Sequence, residues 1–206
     1  LEYNRDRLKD NMWGYNRHTD QTVNIYSAFL QNEWKNDRWG ILIGGRLDKH
    51  NMVDNVIFSP RANLRFNPTQ NINLRLSYSS GFRAPQAFDE DMHIENVGGT
   101  VAMIERAKDL KEEKSQSFSA SADMYHRFGA FQTNLLIEGF YTRLTDVFVL
   151  GEPYDRGDGI LVKTRSNGPG AKVMGLTLEG KVAYLSILQI QAGLTLQRSR
   201  YDEPHK

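Results

Sequence analysis

Five histidines, at positions 18, 50, 93, 126 and 205, and no cysteine are the first residues to test for chemistry. Without cysteine there is no disulfide framework, no thiolate metal cluster and no cysteine nucleophile. The histidines form no His-Glu-x-x-His pair and no other close metal spacing. A Gly-x-Ser-x-Gly nucleophile elbow and a phosphate-cradling Gly-x-x-x-x-Gly-Lys loop are both missing from the sequence. The densest run of ligating side chains is Asp89-Glu90-Asp91-Met92-His93, followed by Glu95. Carboxylates suit calcium, and His with Met suits a transition metal, but this spacing matches no known cage. A charged surface loop explains it, so no metal site is expected. Asp155-Arg156-Gly157-Asp158-Gly159 contains an Arg-Gly-Asp tripeptide, which a turn ending in Asp-Gly accounts for. Nothing in the residues argues for an enzyme, and no cofactor is expected.

Composition bounds the partners. The 206 residues carry 26 Lys plus Arg against 25 Asp plus Glu, a net charge of +1. That balance argues against an electrostatic nucleic-acid binder. Hydrophobic residues are 39% of the chain and mean hydropathy is -0.57. No stretch reaches the roughly 18 uninterrupted apolar residues of a membrane helix. Low hydropathy does not exclude a membrane β-barrel, whose strands need apolar side chains on one face only. Periodicity is therefore the informative probe.

The elements that must position any site read as strands. From Phe58 to Asn67, Phe58, Pro60, Ala62, Leu64 and Phe66 alternate with Ser59, Arg61, Asn63, Arg65 and Asn67. Ile72, Leu74, Leu76 and Tyr78 alternate with Asn73, Arg75, Ser77 and Ser79. The same period of two runs through 39–48, 176–184 and 188–197, and more noisily through 22–34, 115–127 and 131–150. This is the signature of strands with one apolar and one polar face. Template matching gives about eight strands, with 1–8 as the end of one more. Gly168-Pro169-Gly170 reads as a bulge or kink interrupting the seventh.

Connections alternate in length. Tight turns are expected at 35–38, 67–70, 128–130 and 185–187, with longer links at 49–55, 81–114 and about 151–159. In an up-and-down sheet this puts short turns on one edge and long loops on the other, as in outer-membrane barrels. Trp34, Trp39, Phe66, Phe128, Phe131 and Tyr184 cluster at the short turns, where an interfacial aromatic girdle would lie. The patterning predicts an all-β, antiparallel, up-and-down transmembrane barrel segment.

Several stretches carry a family likeness. Leu76-Ser77-Tyr78-Ser79-Ser80-Gly81-Phe82-Arg83-Ala84-Pro85 resembles the strand ending in Gly-Phe-Arg-Ala-Pro of TonB-dependent outer-membrane receptors. Phe29-Leu30-Gln31-Asn32-Glu33-Trp34 resembles that family's strand ending in Gln-x-Glu-Trp, and Gly44-Gly45-Arg46-Leu47-Asp48 the Gly-x-Arg-x-Asp strand after it. Phe58-Ser59-Pro60-Arg61 is similar to the next strand. Leu110-Lys111-Glu112-Glu113-Lys114-Ser115 resembles Leu-Lys-Pro-Glu-x-Ser, with Glu112 in place of the proline. Phe140-Tyr141-Thr142-Arg143-Leu144-Thr145-Asp146 and Gly175-Leu176-Thr177-Leu178-Glu179 also fit, although Thr177 stands where a Glu is usual.

The resemblance spans nearly the whole chain in order and spacing. It implies about eight strands of a larger, about 22-stranded plugged barrel. Residues 1–206 then form a partial barrel domain, a slice without plug or TonB box, and the Leu1 start reads as a cut. The implied activity is uptake of a ferric siderophore, haem or cobalamin, energised by the TonB complex, with outer-membrane lipid around the wall. If the apolar face meets lipid, Arg46, Asp48, Arg61, Arg65 and Arg75 line the lumen, where arginine can pair bidentately with carboxylates. Plug contact or simple solvation is preferred to direct substrate contact for them. Asp89, Glu90, Asp91, His93 and Glu95 are the first choice for ligand contact, because loop tips are where such a barrel captures cargo. The isolated slice is expected to self-associate through its open strand edges. Two alternatives remain at this point: a complete eight-stranded outer-membrane barrel acting as adhesin or enzyme, and a soluble β-sandwich binding module.

Overall fold

The computed structural model describes residues 1–15, 17–85, 95–97, 100–157 and 159–202, with no account of the side chains of 15, 95–97 and 100–102. In chain order the strands are β1 (Glu2–Met12), β2 (Arg17–Lys35), β3 (Trp39–His50), β4 (Ile57–Thr69) and β5 (Ile72–Arg83). Two loop strands follow, β6 (Glu95–Val97) and β7 (Thr100–Arg106), then the long β8 (Glu113–Phe128) and β9 (Phe131–Thr145). Three more loop strands, β10 (Phe148–Leu150), β11 (Tyr154–Asp155) and β12 (Leu161–Asn167), precede β13 (Ala171–Tyr184) and β14 (Leu188–Tyr201).

The long strands form one nine-stranded sheet in the order β1-β2-β3-β4-β5-β8-β9-β13-β14, antiparallel throughout. The sheet is open: β1 and β14 are its two edges. Nine strands replace the eight expected, because the segment read as a strand end at 1–8 is the full strand β1. The noisy 131–150 stretch splits at Asp146, whose φ of 54° takes the chain out of β9 before β10. Gly168–Gly170 links β12 to β13 instead of interrupting a strand.

Register assigns the faces. Trp39, Ile41 and Ile43 lie opposite Phe66, Leu64 and Ala62, and Leu64 and Phe66 in turn face Leu76 and Leu74. Directly opposed residues share a face, so the apolar sets of neighbouring strands coincide. That face is not packed on a second layer. Leu30 is 82% exposed, Ile43 54%, Leu76 54% and Leu196 61%. A soluble sandwich would bury these side chains, so that alternative fails. The strands run 11 to 19 residues, long enough to cross hydrocarbon, which takes about 9–11 tilted residues, and to stand above it.

The short-turn edge is built locally. Asn36 Oδ1 accepts hydrogen bonds from the Arg38 and Trp39 amides at 2.9 and 2.7 Å, a side-chain-closed turn between β2 and β3. Gly129, at φ 59°, allows the reversal from β8 to β9. Rings gather at this edge: Trp39 stacks on Phe66 at 4.2 Å, and Phe131 lies 5.5 Å from Phe128 and 5.0 Å from Tyr184.

At the opposite edge the two longest loops join in a second sheet, ordered β10-β12-β7-β6 with β11 on β12. Its central pair, β7 and β12, is parallel, from Leu161 opposite Ala102 to Arg165 opposite Arg106. Met103 and Val162 are fully buried there. The sequence pattern did not anticipate this sheet.

Candidate functional site

The polar face of the main sheet holds the charged residues singled out from sequence. Arg46 and Asp48 lie opposite Ser59 and Ile57, and Arg61 and Arg65 opposite Ser79 and Arg75, so all five share that face. Their surroundings differ. Asp48 is 2% exposed. Its Oδ1 accepts from Ser27 Oγ at 2.5 Å and from Arg46 Nε at 2.8 Å. Arg46 also donates to Ser27 Oγ at 2.8 Å and reaches Glu2 at 3.2 Å. One guanidinium thereby ties β1, β2 and β3 together through a buried carboxylate. Ser27 and Glu2 carry no signal of their own in the sequence, since only the register brings them here.

Arg61, Arg65 and Arg75 form a separate group. Arg65 lies along Gly40, where an added Cβ would stand 3.3 Å from its Nε. Arg75 donates from Nε to Asn73 Oδ1 at 2.7 Å. Among the described residues none of the three is within ion-pair distance of a carboxylate. Further along the same face, Asp123 accepts from Asn134 and from Tyr125 Oη. His50, one residue pair beyond Asp48, is 1% exposed and accepts the Met52 amide at Nδ1, 3.1 Å away. Its burial was not visible in the sequence.

Asp89, Glu90, Asp91 and His93 lie outside the described residues. Glu95 opens β6 opposite Ala102. At the Arg-Gly-Asp tripeptide, Asp155 Oδ1 accepts the Gly157 amide at 2.7 Å and Gly157 has φ 101°; Asp158 lies outside the described residues. Arg156 is used inside the loop sheet, 3.1 Å from Glu105. Among the described residues no three His, Cys, Asp or Glu side chains are placed to hold a metal ion.

Outside the apolar band, on the other face of β1 and β2, Arg7 grips Asp20 with two hydrogen bonds of 3.1 and 2.8 Å. They hold the Asp20 carboxyl below its usual range, against the opposing effect of desolvation.

The comparisons agree with this geometry. The family described as TonB dependent receptor-like, beta-barrel matches residues 1–205. The chain belongs to that family, whose barrels lie in the outer membrane of Gram-negative bacteria. A search of curated proteins by sequence returns no match. Among solved structures, the siderophore receptor PirA of Pseudomonas aeruginosa superposes with a TM-score of 0.78 at 18% identity, covering 97% of this chain and 38% of that one. The ferric enterobactin receptor PfeA of Pseudomonas aeruginosa gives 0.67 at 19%, covering 88% and 27%. The FrpB iron transporter of Neisseria meningitidis gives 0.63 at 17%, covering 89% and 27%. At these identities the likeness is one of fold, and the chain spans under two fifths of each structure's length. The apolar face is accordingly the lipid face, the polar face the lumen wall, and the long-loop edge the extracellular one.

Proposed function

We propose that this chain forms wall and extracellular loops of a TonB-dependent receptor that takes up a ferric siderophore-type chelate. The carrying observation is the open nine-stranded antiparallel sheet, apolar outside and polar inside, within a chain matched to the family from end to end. The iron-related cargo named for the three structural neighbours supports a ferric chelate over haem or cobalamin. The role is transport and not catalysis. The loops capture the ligand, with Asp89, Glu90, Asp91, His93 and Glu95 as first contacts. A plug, pulled through TonB, opens the passage. The wall stays fixed, because its backbone hydrogen bonds are satisfied between strands as hydrocarbon demands. Arg61, Arg65 and Arg75 are free to pair with carboxylates of the plug or of an anionic chelate.

The test is growth of a strain deleted for the whole receptor gene on defined sources of iron and of cobalamin. Loss of growth on one ferric chelate, restored by the intact gene, is the expected result. Undiminished growth on every ferric source, with loss on haem or cobalamin alone, would overturn the chelate assignment.

A further inference from the structure

The two longest links of the chain are joined to each other. One, 84–112, runs from β5 to β8, and the other, 146–170, runs from β9 to β13. β7 belongs to the first and β12 to the second, and the two pair in parallel. Parallel neighbours need a crossover between them, and the β8–β9 hairpin supplies it. Connecting segments ordinarily run over a protein's surface. These two share a small core instead. Met103 of β7 stands opposite Val162 of β12, both fully buried, and Ile104 beside them is buried as well.

Polar contacts extend the union. The Ala107 amide donates to the Arg165 carbonyl at 2.8 Å, which prolongs the ladder past Arg106. Arg156 of the second link lies 3.1 Å from Glu105 of the first. The last residue of β12, Asn167, then commits its whole side-chain amide. Its Oδ1 accepts the Lys111 amide at 2.7 Å. Its Nδ2 donates to the Lys111 carbonyl at 3.1 Å and to the Asp146 carbonyl at 2.8 Å. Both donors of the amide are thereby engaged.

The three residues so joined are strategic. Lys111 stands two residues before β8, and Asp146 directly follows β9, where its φ of 54° turns the chain. One side chain therefore holds the end of the first link, the start of the second and the end of β12. The chain beyond it is close-set: the Gly168 amide donates to the Val147 carbonyl at 2.7 Å, and an added Cβ would stand 2.7 Å from a Val149 methyl. The wall takes hold at the same place. Glu113, the first residue of β8, accepts the Phe148 amide at 3.0 Å, and Arg83, the last of β5, lies over the Phe148 ring at 5.5 Å.

We propose that Asn167 is a positioning residue that locks the two links into one body, so that neither is displaced without the other. The inference rests on the receptor reading above, in which acidic residues of the 84–112 link meet the cargo first. It adds that the 146–170 link, which carries none of those residues, governs where they stand. Coupling between two sites is reciprocal, so loosening either link must loosen its neighbour.

The experiment is amide hydrogen exchange on the full-length receptor in detergent, without cargo, restricted to barrels that show heat-modifiable gel migration. Asn167→Leu removes all three side-chain bonds. Amides 103–106, which share no hydrogen bond with Asn167, should exchange about tenfold faster, within the usual range of coupling between sites. Those of β8, β9 and β13 in the apolar band should keep the parent's rates. Met103→Ala opens a cavity on the other side of the contact and should speed exchange at 146–150 by a similar factor. Asn51→Leu is the control. Its amide also bridges backbone, accepting from Asn24 and donating to Thr22, but only within the β2–β3 region. It should leave 103–106 and 146–150 unchanged. Faster exchange in Asn167→Leu confined to 110–112, 146–148 and 167–168 would overturn the proposal. So would parent rates at 146–150 in Met103→Ala, which decides the matter if Asn167→Leu loosens the whole wall. With no cargo present, failure here counts against the coupling alone, and failure of the growth test above counts against the uptake reading alone.

Discussion

Arg65 of β4 and Arg75 of β5 stand directly opposite each other on the polar face of the main sheet. Opposed side chains on one face have Cβ atoms about 5 Å apart, and like charges there oppose sheet formation. Arg65 lies along Gly40 and Arg75 bonds to Asn73, so each guanidinium is drawn away from the other. Replacing Arg75 with Glu converts repulsion into a cross-strand ion pair. The urea midpoint of the refolded barrel should rise by the equivalent of about 0.5 kcal/mol. Under the uptake role proposed above, transport by the intact receptor should fall, because the polar wall loses a cation that a carboxylate partner would use. An unchanged midpoint would show that the two side chains do not sense each other.

Asp48 offers the opposite case. Its carboxylate is almost wholly enclosed and accepts from Ser27 and Arg46. Asp48→Asn keeps the shape but removes the charge that both donors address. Hydrogen bonds to a charged group contribute about 2 kcal/mol, so a loss of that order in unfolding free energy is expected. Ser27→Ala should cost less, since Arg46 still reaches Asp48. Equal losses in the two variants would contradict this ranking.

How far the sequence disclosed this arrangement depends on where a residue sits relative to the lipid. Phe58 to Asn67 alternates cleanly because one face meets hydrocarbon and the other meets water. In β1 the pattern fades: Glu2 to Met12 carries charged side chains on both faces, as it pairs mostly with the part of β2 that runs beyond the end of β3 and past the apolar band. Only its existence near 1–8 was legible. The parallel contact of β7 with β12 joins residues about sixty positions apart, and no local pattern encodes it. Among the site residues, the shared face of Arg46, Asp48, Arg61, Arg65 and Arg75 follows from period two. The split between a buried network at Asp48 and an open arginine group does not, because it depends on register and on Ser27 and Glu2.

The Arg7–Asp20 pair should make the outer end of the β1–β2 hairpin pH-sensitive. Asp20 has its pKa lowered from 3.8, chiefly by the Arg7 hydrogen bonds. A carboxyl with a depressed folded pKa stabilises above its usual value and loses that contribution as pH falls through the lowered one. Amide protection at 6–9 and 18–22 should hold at pH 5 and decline below about 3.8, while the membrane-level part of β2 stays protected. Asp20→Asn should lower protection at pH 5 to the level that the parent reaches once Asp20 is protonated, and remove this pair's share of the pH dependence. Hydrogen exchange across that range decides it, and a hairpin equally protected at pH 5 and pH 2.5 would remove the pair's role.

Gly175 and Gly139 face each other's strands but differ in tolerance. A Cβ on Gly175 would lie 2.6 Å from the Phe140 ring and 2.7 Å from the Leu196 carbonyl oxygen, whereas one on Gly139 meets nothing within 4 Å. Gly175→Ala must displace the ring and strain the β13–β14 ladder, at a cost of about 1–3 kcal/mol. Gly139→Ala should lie within about 0.5 kcal/mol of the parent. Urea unfolding of the two variants in the same detergent tests the contrast, which fails if their midpoints coincide.

The edges of the sheet carry a last prediction. β14 pairs with β13 alone and β1 with β2 alone, so each leaves a row of backbone donors and acceptors unmet. For the apolar β14, hydrocarbon offers no water to these groups, and for both edges a second strand is the available partner. The 206-residue chain, refolded by itself in detergent, should therefore sediment as multimers. Proline separates this edge pairing from general stickiness. Along an antiparallel edge strand successive N–H groups alternate between the ladder and the open side. Of Thr195→Pro and Leu196→Pro, one should break the β13 ladder and lose folded sheet, and the other should keep the sheet and reduce association. A parent chain that sediments as a monodisperse monomer would refute edge pairing. Undiminished association of the correctly folded proline variant would assign the contact to the apolar face, which both variants leave intact.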